Sequence, residues 1–228
     1  MTVLTEKNML LAISRVGDHK CSEMNFDFIW LTACSFCVGA LPLSLYVGFL
    51  LLHKDIRCFG DGNPGAVNVF RAGSPAAGML AVLLDIGKGV PPVYLAGHLF
   101  HIPENQLLFI GMAAILGHAF SPFLRFRGGK AVAVTFGVLI GLGRTEMLFP
   151  FAITSLAGFL ILDNHSWVVL CAPVVSLLFL LRQDAGLGAI FFMSGILILY
   201  IIKHYKHLNG WPRLSAWFYR WLQSRRQV

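Results

Sequence analysis

The stretch "FIWLTACSFCVGALPLSLYVGFLLL", Phe28 to Leu52, runs for 25 residues without one charged side chain. An α-helix rises about 1.5 Å per residue, so roughly 20 apolar residues cross the hydrocarbon core of a bilayer. The stretch therefore reads as a membrane span, and the rest of the chain agrees. Of its 228 residues, 57% are hydrophobic and only 13% are charged, whereas soluble domains carry about 25% charged residues. The mean hydropathy is +0.71. Further apolar blocks cover Ala76–Phe100, Leu107–Leu124, Ala131–Leu142, Met147–Leu162, Trp167–Leu181 and Leu187–Ile202. These blocks predict an all-α polytopic membrane protein with about seven transmembrane helices in one bundle. The fourth and fifth blocks are short and glycine-rich or proline-bearing, so five or six crossings are the alternative.

Three regions follow: an N-terminal tail over residues 1–26, an integral membrane domain over 27–209 and a basic C-terminal tail over 210–228. The first residues are polar and lack an apolar segment leading to a small-residue cleavage site. They read as a tail or surface helix, not a signal peptide. Cytoplasmic loops of membrane proteins carry an excess of Lys and Arg. With seven spans and a cytoplasmic first loop, twelve such residues fall inside and five outside, with Lys88 within a span. That balance places the N-terminus outside and the C-terminus in the cytoplasm.

The net charge of +7 fits attraction to anionic lipid or to an anionic substrate at the inner face. No basic surface interleaved with aromatics offers itself to nucleic acid. Cys34 and Cys37 form a C-x-x-C inside an apolar helix, without a second pair or a histidine at zinc spacing. They read as packing residues, and no metal or cofactor is expected. No internal repeat is visible, and the sequence assigns no oligomeric state.

Between the first two blocks lies "GDGNPGAVNVFRAG", Gly60 to Gly73. Gly60, Gly62 and Gly65 match G-x-G-x-x-G, but a dinucleotide site needs a buried strand before the loop and an amphipathic helix after it. Here a membrane span precedes, and Asp85 falls inside the next one. The physics beneath the motif survives. Glycines let backbone N–H groups face an anion without a side chain in the way. Asn63 and Asn68 add amide donors, and Arg71 adds a bidentate fork.

Two other polar clusters interrupt the apolar sequence. In "LLDIGKGVPP", Asp85 and Lys88 share a face one turn apart within a span, where charges pair with each other or face a cavity. In "GHAFSPFLRFRGGKAVAV", Arg125, Arg127 and Lys130 surround Gly128 and Gly129 just before a helix, a second arrangement suited to an anion. His118 sits near that cluster. His204 and His207 follow the last block, while the other histidines have no comparable company, and Asp163 and Asn164 mark a loop without a named partner.

In order and spacing these pieces resemble the bacterial acyl-phosphate-dependent glycerol-3-phosphate acyltransferases of the PlsY type. "DIRCFGDGNPGAVNVFR", Asp55 to Arg71, follows that family's D-[IL]-R-x-x-G-S-G-N-x-G-A-T-N-x-x-R. Leu84 to Pro92 follows L-D-x-x-K-G-x-x-P, Gly117 to Ala131 approximates G-H-x-x-P-x-x-x-x-F-K-G-G-K-G, and His204 to Leu208 corresponds to H-x-x-N-I. The departures are Asp61 for serine, Val67 for threonine, a proline displaced to Pro122, Arg127 for lysine, Ala131 for glycine and His207 for asparagine.

The resemblance implies transfer of a fatty acyl group from acyl phosphate to the 1-hydroxyl of glycerol 3-phosphate, giving lysophosphatidate and phosphate for phospholipid biosynthesis. The implied setting is a bacterial-type inner membrane, with the site facing the cytoplasm and membrane lipid around it. Asp61, Arg71, Lys130 and His204 become the candidate catalytic residues. Gly60, Gly62, Asn63, Gly65, Asn68, Lys88, His118, Arg127, Gly128, Gly129 and His207 become candidate substrate contacts. Arg71 and the Gly60–Gly65 backbone are assigned one phosphate; Lys130, Gly128 and Gly129 are assigned the other. The alternatives are a diverged or inactive relative acting on another polar acceptor, and an anion transporter.

Overall fold

The computed structural model describes residues 26–208 and 210–215. Nearly all of the expected N-terminal tail and most of the C-terminal one lie outside these residues. Among the described residues the chain is helical, without a named strand.

The long apolar run forms helix α1 over residues 26–40 and α2 over Leu43–Leu52. Pro42 lies at the break, where its ring removes a backbone donor, and the two helices together make one span, Phe26–Leu52. The polar loop that follows holds a short helix α3, Ala66–Arg71. Ser74 then caps α4, Pro75–Gly87, by accepting from the Ala77 N–H at 3.2 Å, with Pro75 at the favoured first position. The second block is divided in the same way: α4 ends at Lys88 and Gly89, and prolines open α5, Val90–His98. The remaining helices are α6 (Glu104–Ala119), α7 (Val132–Leu142), α8 (Thr145–Ile161), α9 (His165–Arg182) and α10 (Leu187–His204).

Among the described residues, five helical segments are long and apolar enough to cross a membrane: Phe26–Leu52, Pro75–His98, Glu104–Leu124, His165–Arg182 and Leu187–His207. The two blocks that looked short in sequence are short helices. The 11 residues of α7 and the 17 of α8 rise about 16 and 25 Å at 1.5 Å per residue. The loop before α7 is tied back to α6, where Gly129 N–H donates to His118 O at 3.0 Å.

The larger apolar cluster joins α5 to α10 through residues such as Val138, Leu139, Phe151 and Tyr200. A smaller one packs α2, α3 and α4 around Ile56, Val69 and Ala81. Bulky apolar side chains also face outward, with Leu50 73% and Phe191 72% exposed, as lipid-facing surface requires. Small residues let α1 and α6 touch backbone to backbone. A Cβ on Gly39 would overlap Ala114 O, and one on Gly117 would overlap Phe36 O. Ser35 Oγ donates to Ile110 O at 2.7 Å across the same contact.

Turns gather at two ends. At one, Arg144 in the α7–α8 turn pairs with Glu104 at the start of α6 and with Glu146. A cavity of about 710 Å³ joins Arg144 to Gln183 and Ala185 of the α9–α10 turn. At the other end meet the α2–α3 loop, the α6–α7 loop, the α8–α9 turn and the end of α10. Part of the expected C-terminal tail is folded there. Asp163 N–H donates to Arg213 O at 3.0 Å, Ser215 N–H donates to Ile161 O at 2.8 Å, and Trp167 Nε1 donates to Gly210 O at 3.1 Å. Residues 210–215 are thus a strap over the α8–α9 turn.

Candidate active site

Glycine shapes the first loop. Gly60 and Gly62 have φ of 57° and 73°, left-handed values that cost other residues roughly 1 kcal/mol or more. A Cβ on Gly60 would overlap the Arg71 guanidinium and the Asn68 side-chain oxygen. The loop therefore closes tightly over the side chains of α3 and turns Asp61 toward the α6–α7 loop.

Asp61 is the hub. Lys130 Nζ lies 2.7 Å from its Oδ2, and Arg71 Nη1 lies 3.9 Å from Oδ1. Asn68 Nδ2 donates to Oδ1 at 3.0 Å and the Asn63 N–H at 3.2 Å. His207 Nε2 stands 3.9 Å from Oδ2. Burial opposes ionisation of Asp61. The hydrogen bond and charge of Lys130, helped by Asn63 and Asn68, outweigh it and hold the carboxyl down at about 2. Arg71 Nη1 also donates to Asn68 Oδ1 at 3.2 Å, and Asn68 Nδ2 donates to Asn63 O at 2.9 Å, so the buried Asn68 locks the loop from within.

These groups line a cavity of about 920 Å³. Of the residues singled out in sequence, Asp61, Asn63, Gly65, Asn68, Arg71, His118, Lys130, His204 and His207 lie on its wall. His204 is 3% exposed; its Nδ1 lies 3.3 Å from Ser166 Oγ, while its Nε2 is buried with no hydrogen-bond partner among the described residues. The wall is polar at one side and apolar at the other, where Val82, Ile86, Val132, Phe136, Phe159 and Val169 take over.

Six expected contacts stand off the wall, for different reasons. Lys88 is enclosed: its Nζ lies 2.8 Å from Asp85 Oδ1 and donates to Leu41 O at 2.6 Å. Ser44 Oγ donates to the other Asp85 oxygen at 2.5 Å, so this ion pair ties α4 to the α1–α2 break. Arg127 is exposed away from the wall. Gly128 and Gly129 are buried against the end of α6, where a Cβ would overlap His118 O or the His118 ring. The Gly129 N–H is spent on His118 O, and Lys203 Nζ donates to Gly128 O at 3.1 Å. Gly60 and Gly62 set the loop's path without reaching the cavity, and the Gly62 N–H is spent on Phe59 O.

Sequence reasoning also missed part of the wall. Asn164, His165 and Ser166 line it from the α8–α9 turn, and Trp211 and Arg213 line it from the strap. Asn164 caps α9 by accepting from the Ser166 N–H at 3.0 Å, and its Nδ2 reaches His207 O at 3.4 Å. The available signal was the polar run Asp163-Asn164-His165-Ser166 between two apolar helices. Nothing local in the sequence brings Arg213 back to it.

Fold and site together define an integral helical membrane protein whose polar side chains converge at one end of the bundle. The sequence model of the family described as glycerol-3-phosphate acyltransferase matches residues 29–215. The chain belongs to the glycerol-3-phosphate acyltransferase family, and is therefore a membrane acyltransferase of phospholipid biosynthesis. It is 32% identical over 197 residues to a glycerol-3-phosphate acyltransferase of Lactiplantibacillus plantarum, covering 84% of this chain and 94% of that protein. Over 122 residues it is 43% identical to glycerol-3-phosphate acyltransferase 2 of Lactobacillus johnsonii, covering 53% of this chain and 55% of that protein. Among solved structures, it resembles crystal structures of PlsY, an integral membrane glycerol 3-phosphate acyltransferase. The glycerol 3-phosphate form gives a TM-score of 0.71 at 30% identity, covering 80% of this chain and 90% of that one. The lysophosphatidic acid form gives 0.70 at 29%, with the same coverage.

Proposed function

We propose that this enzyme moves a fatty acyl group from acyl phosphate to the 1-hydroxyl of glycerol 3-phosphate, releasing lysophosphatidate and phosphate. The observation that carries this reading is the convergence of Arg71 and Lys130, from loops 59 residues apart in sequence, on one cavity with an apolar wall. An acyl phosphate is a lipid tail on an anionic head, and the acceptor is a phosphate ester. Both kinds of surface are present where both substrates must meet.

The attacking hydroxyl oxygen forms a bond to the acyl carbon, and the bond from that carbon to the phosphate oxygen breaks. The phosphate departs with the electron pair. Lys130 and Arg71 stabilise that growing charge. The free His204 Nε2 binds and orients a substrate oxygen. The hydroxyl proton passes to the departing phosphate, which leaves as hydrogen phosphate, so that atoms and charge balance. Asp61 is too weak a base at neutral pH, with its carboxyl held at about 2, so its place in the machinery is electrostatic. Positioning two preactivated reactants supplies much of the rate.

The proposed topology has seven crossings, with α7 and α8 as short ones, the N-terminus outside and the C-terminus in the cytoplasm. Two observations support it. The loop ends alternate between the Arg144 end and the Asp61 end along the chain, and nine of the Lys and Arg residues among those described fall on the Asp61 side. The site then faces the cytoplasm of a bacterial-type inner membrane, where a soluble phosphate ester can enter.

Product analysis tests the proposal. Purified full-length protein in detergent should convert palmitoyl phosphate and glycerol 3-phosphate into equal amounts of lysophosphatidate and phosphate. Glycerol in place of the acceptor, or palmitoyl-CoA in place of the donor, should give neither. Equal turnover with palmitoyl-CoA would refute the donor assignment.

A further inference from the structure

Both oxygens of the Asp61 carboxylate are engaged by the chain itself. One oxygen holds the Asn68 amide and the Asn63 N–H; the other holds Lys130 at 2.7 Å and faces His207 at 3.9 Å. Arg71 completes the ring at 3.9 Å. Cations and amide donors closing on a small oxyanion make an anion site, and here the anion is the protein's own. With both oxygens engaged, little capacity is left to accept a hydrogen bond from a substrate hydroxyl.

We propose that Asp61 is a built-in counter-anion that competes with substrate and product phosphate for Lys130 and Arg71, and so sets the affinity of the site. Phosphate binds by taking Lys130 from the carboxylate, which then stands as a like charge beside it. The carboxyl stays ionised at working pH, because Lys130 and the two asparagines hold it low. The competition acts on each phosphate-bearing group that enters. It weakens the acceptor, and it equally weakens inorganic phosphate, which must leave after each turnover. A site with Asp61 thus favours release of product over tight capture of substrate. This rests on reading the cavity as a phosphate site, and goes beyond it by naming the residue that tunes it.

The probe is inorganic phosphate itself, titrated by calorimetry into full-length protein in detergent. Asp61→Asn and Asp61→Ser should each tighten phosphate about tenfold, which is roughly 1.4 kcal/mol, and should lower KM for glycerol 3-phosphate in the same direction. Asp61→Glu keeps the charge and should not tighten phosphate. Adding Lys130→Gln to Asp61→Asn should remove the gain. Thermal unfolding of each variant identifies any that fails to fold, and the asparagine and serine variants stand in for each other. Unchanged or weaker phosphate affinity in both neutral variants overturns the proposal, and so does equal tightening in Asp61→Glu. Absence of measurable phosphate binding in all forms overturns it too. The calorimetry does not depend on turnover: tightening without acyl transfer would leave this inference standing and sink the proposed reaction, and transfer without tightening would do the reverse.

Discussion

The two glycine loops look alike in sequence and work differently in the fold. Gly60 to Gly73 brings its side chains to the cavity: Asp61, Asn63, Asn68 and Arg71 all line it with Gly65, and Gly60 and Gly62 bend the chain around them. The loop before α7 brings Lys130 as its one charged side chain on the wall, beside Ala131, and Gly128 and Gly129 serve to press the backbone against α6. In both loops glycine marks a demanding backbone path, and the Gly62 and Gly129 N–H groups are spent on the chain's own carbonyls. The Asp61–Lys130 contact at 2.7 Å joins the two loops.

Removing the cation from either loop is the most severe way to test that division. Arg71→Ala and Lys130→Ala should each lower acyl transfer by about 100-fold or more, the scale seen when a transition-state donor is lost, while each variant still folds, Lys130→Ala melting lower because it loses the 2.7 Å contact with Asp61. Phosphate release with palmitoyl phosphate and glycerol 3-phosphate measures the first, and thermal unfolding in detergent the second. Wild-type turnover in either variant would take that loop out of the site.

Adding one methyl group separates the loops by stability. Gly129→Ala drives a Cβ into the His118 ring in a buried contact, and overpacking of this kind costs about 1–3 kcal/mol. Gly143→Ala is the control: its φ is 66° but nothing lies within 4 Å, so only the backbone cost of about 1 kcal/mol remains. Thermal unfolding should rank Gly129→Ala below Gly143→Ala, and the reverse order would remove the packing role of that glycine.

Acid should loosen the junction between the loops. The folded-state carboxyl of Asp61 is lowered to about 2, so its stabilisation is complete above the ordinary value near 4 and is lost as pH falls through about 2. Between pH 5 and pH 3, the wild type should lose more thermal stability than Asp61→Asn. Parallel losses would mean that the contact contributes nothing to joining the loops.

The smallest expected effect lies at Ala131, which caps α7 with φ of 63° where the resembling family carries glycine. An L-residue in the left-handed region costs roughly 1 kcal/mol. Ala131→Gly should recover part of that, raising the melting temperature by a few degrees, and a lower melting temperature would show that burial of the methyl outweighs the strain.

These differences explain what could be read from the chain before folding. The apolar run Phe28–Leu52, the broken second block and the Asp85–Lys88 pair are local patterns, fixed by composition and by spacing of one helical turn. The side chains of the Gly60–Gly73 loop were legible because the loop folds on itself: Asp61, Asn63, Asn68 and Arg71 lie within eleven residues. The glycines before Lys130 were not, because their purpose is contact with His118 on another helix. Lys88 could be read as reaching an anion only until the Leu41 carbonyl was seen to hold it. The strap that brings Arg213 and Trp211 to the wall depends on backbone pairing with residues 161 and 163, which leaves no local trace.

The most direct measurement of the shared site is a double-mutant cycle on kcat/KM for glycerol 3-phosphate, using Arg71→Gln, Lys130→Gln and the double variant. Residues that share Asp61 on one cavity wall should couple, so the loss in the double variant should differ from the product of the single losses by at least about threefold. Losses that simply multiply would put the two cations at independent sites and contradict the single cavity chemistry described above.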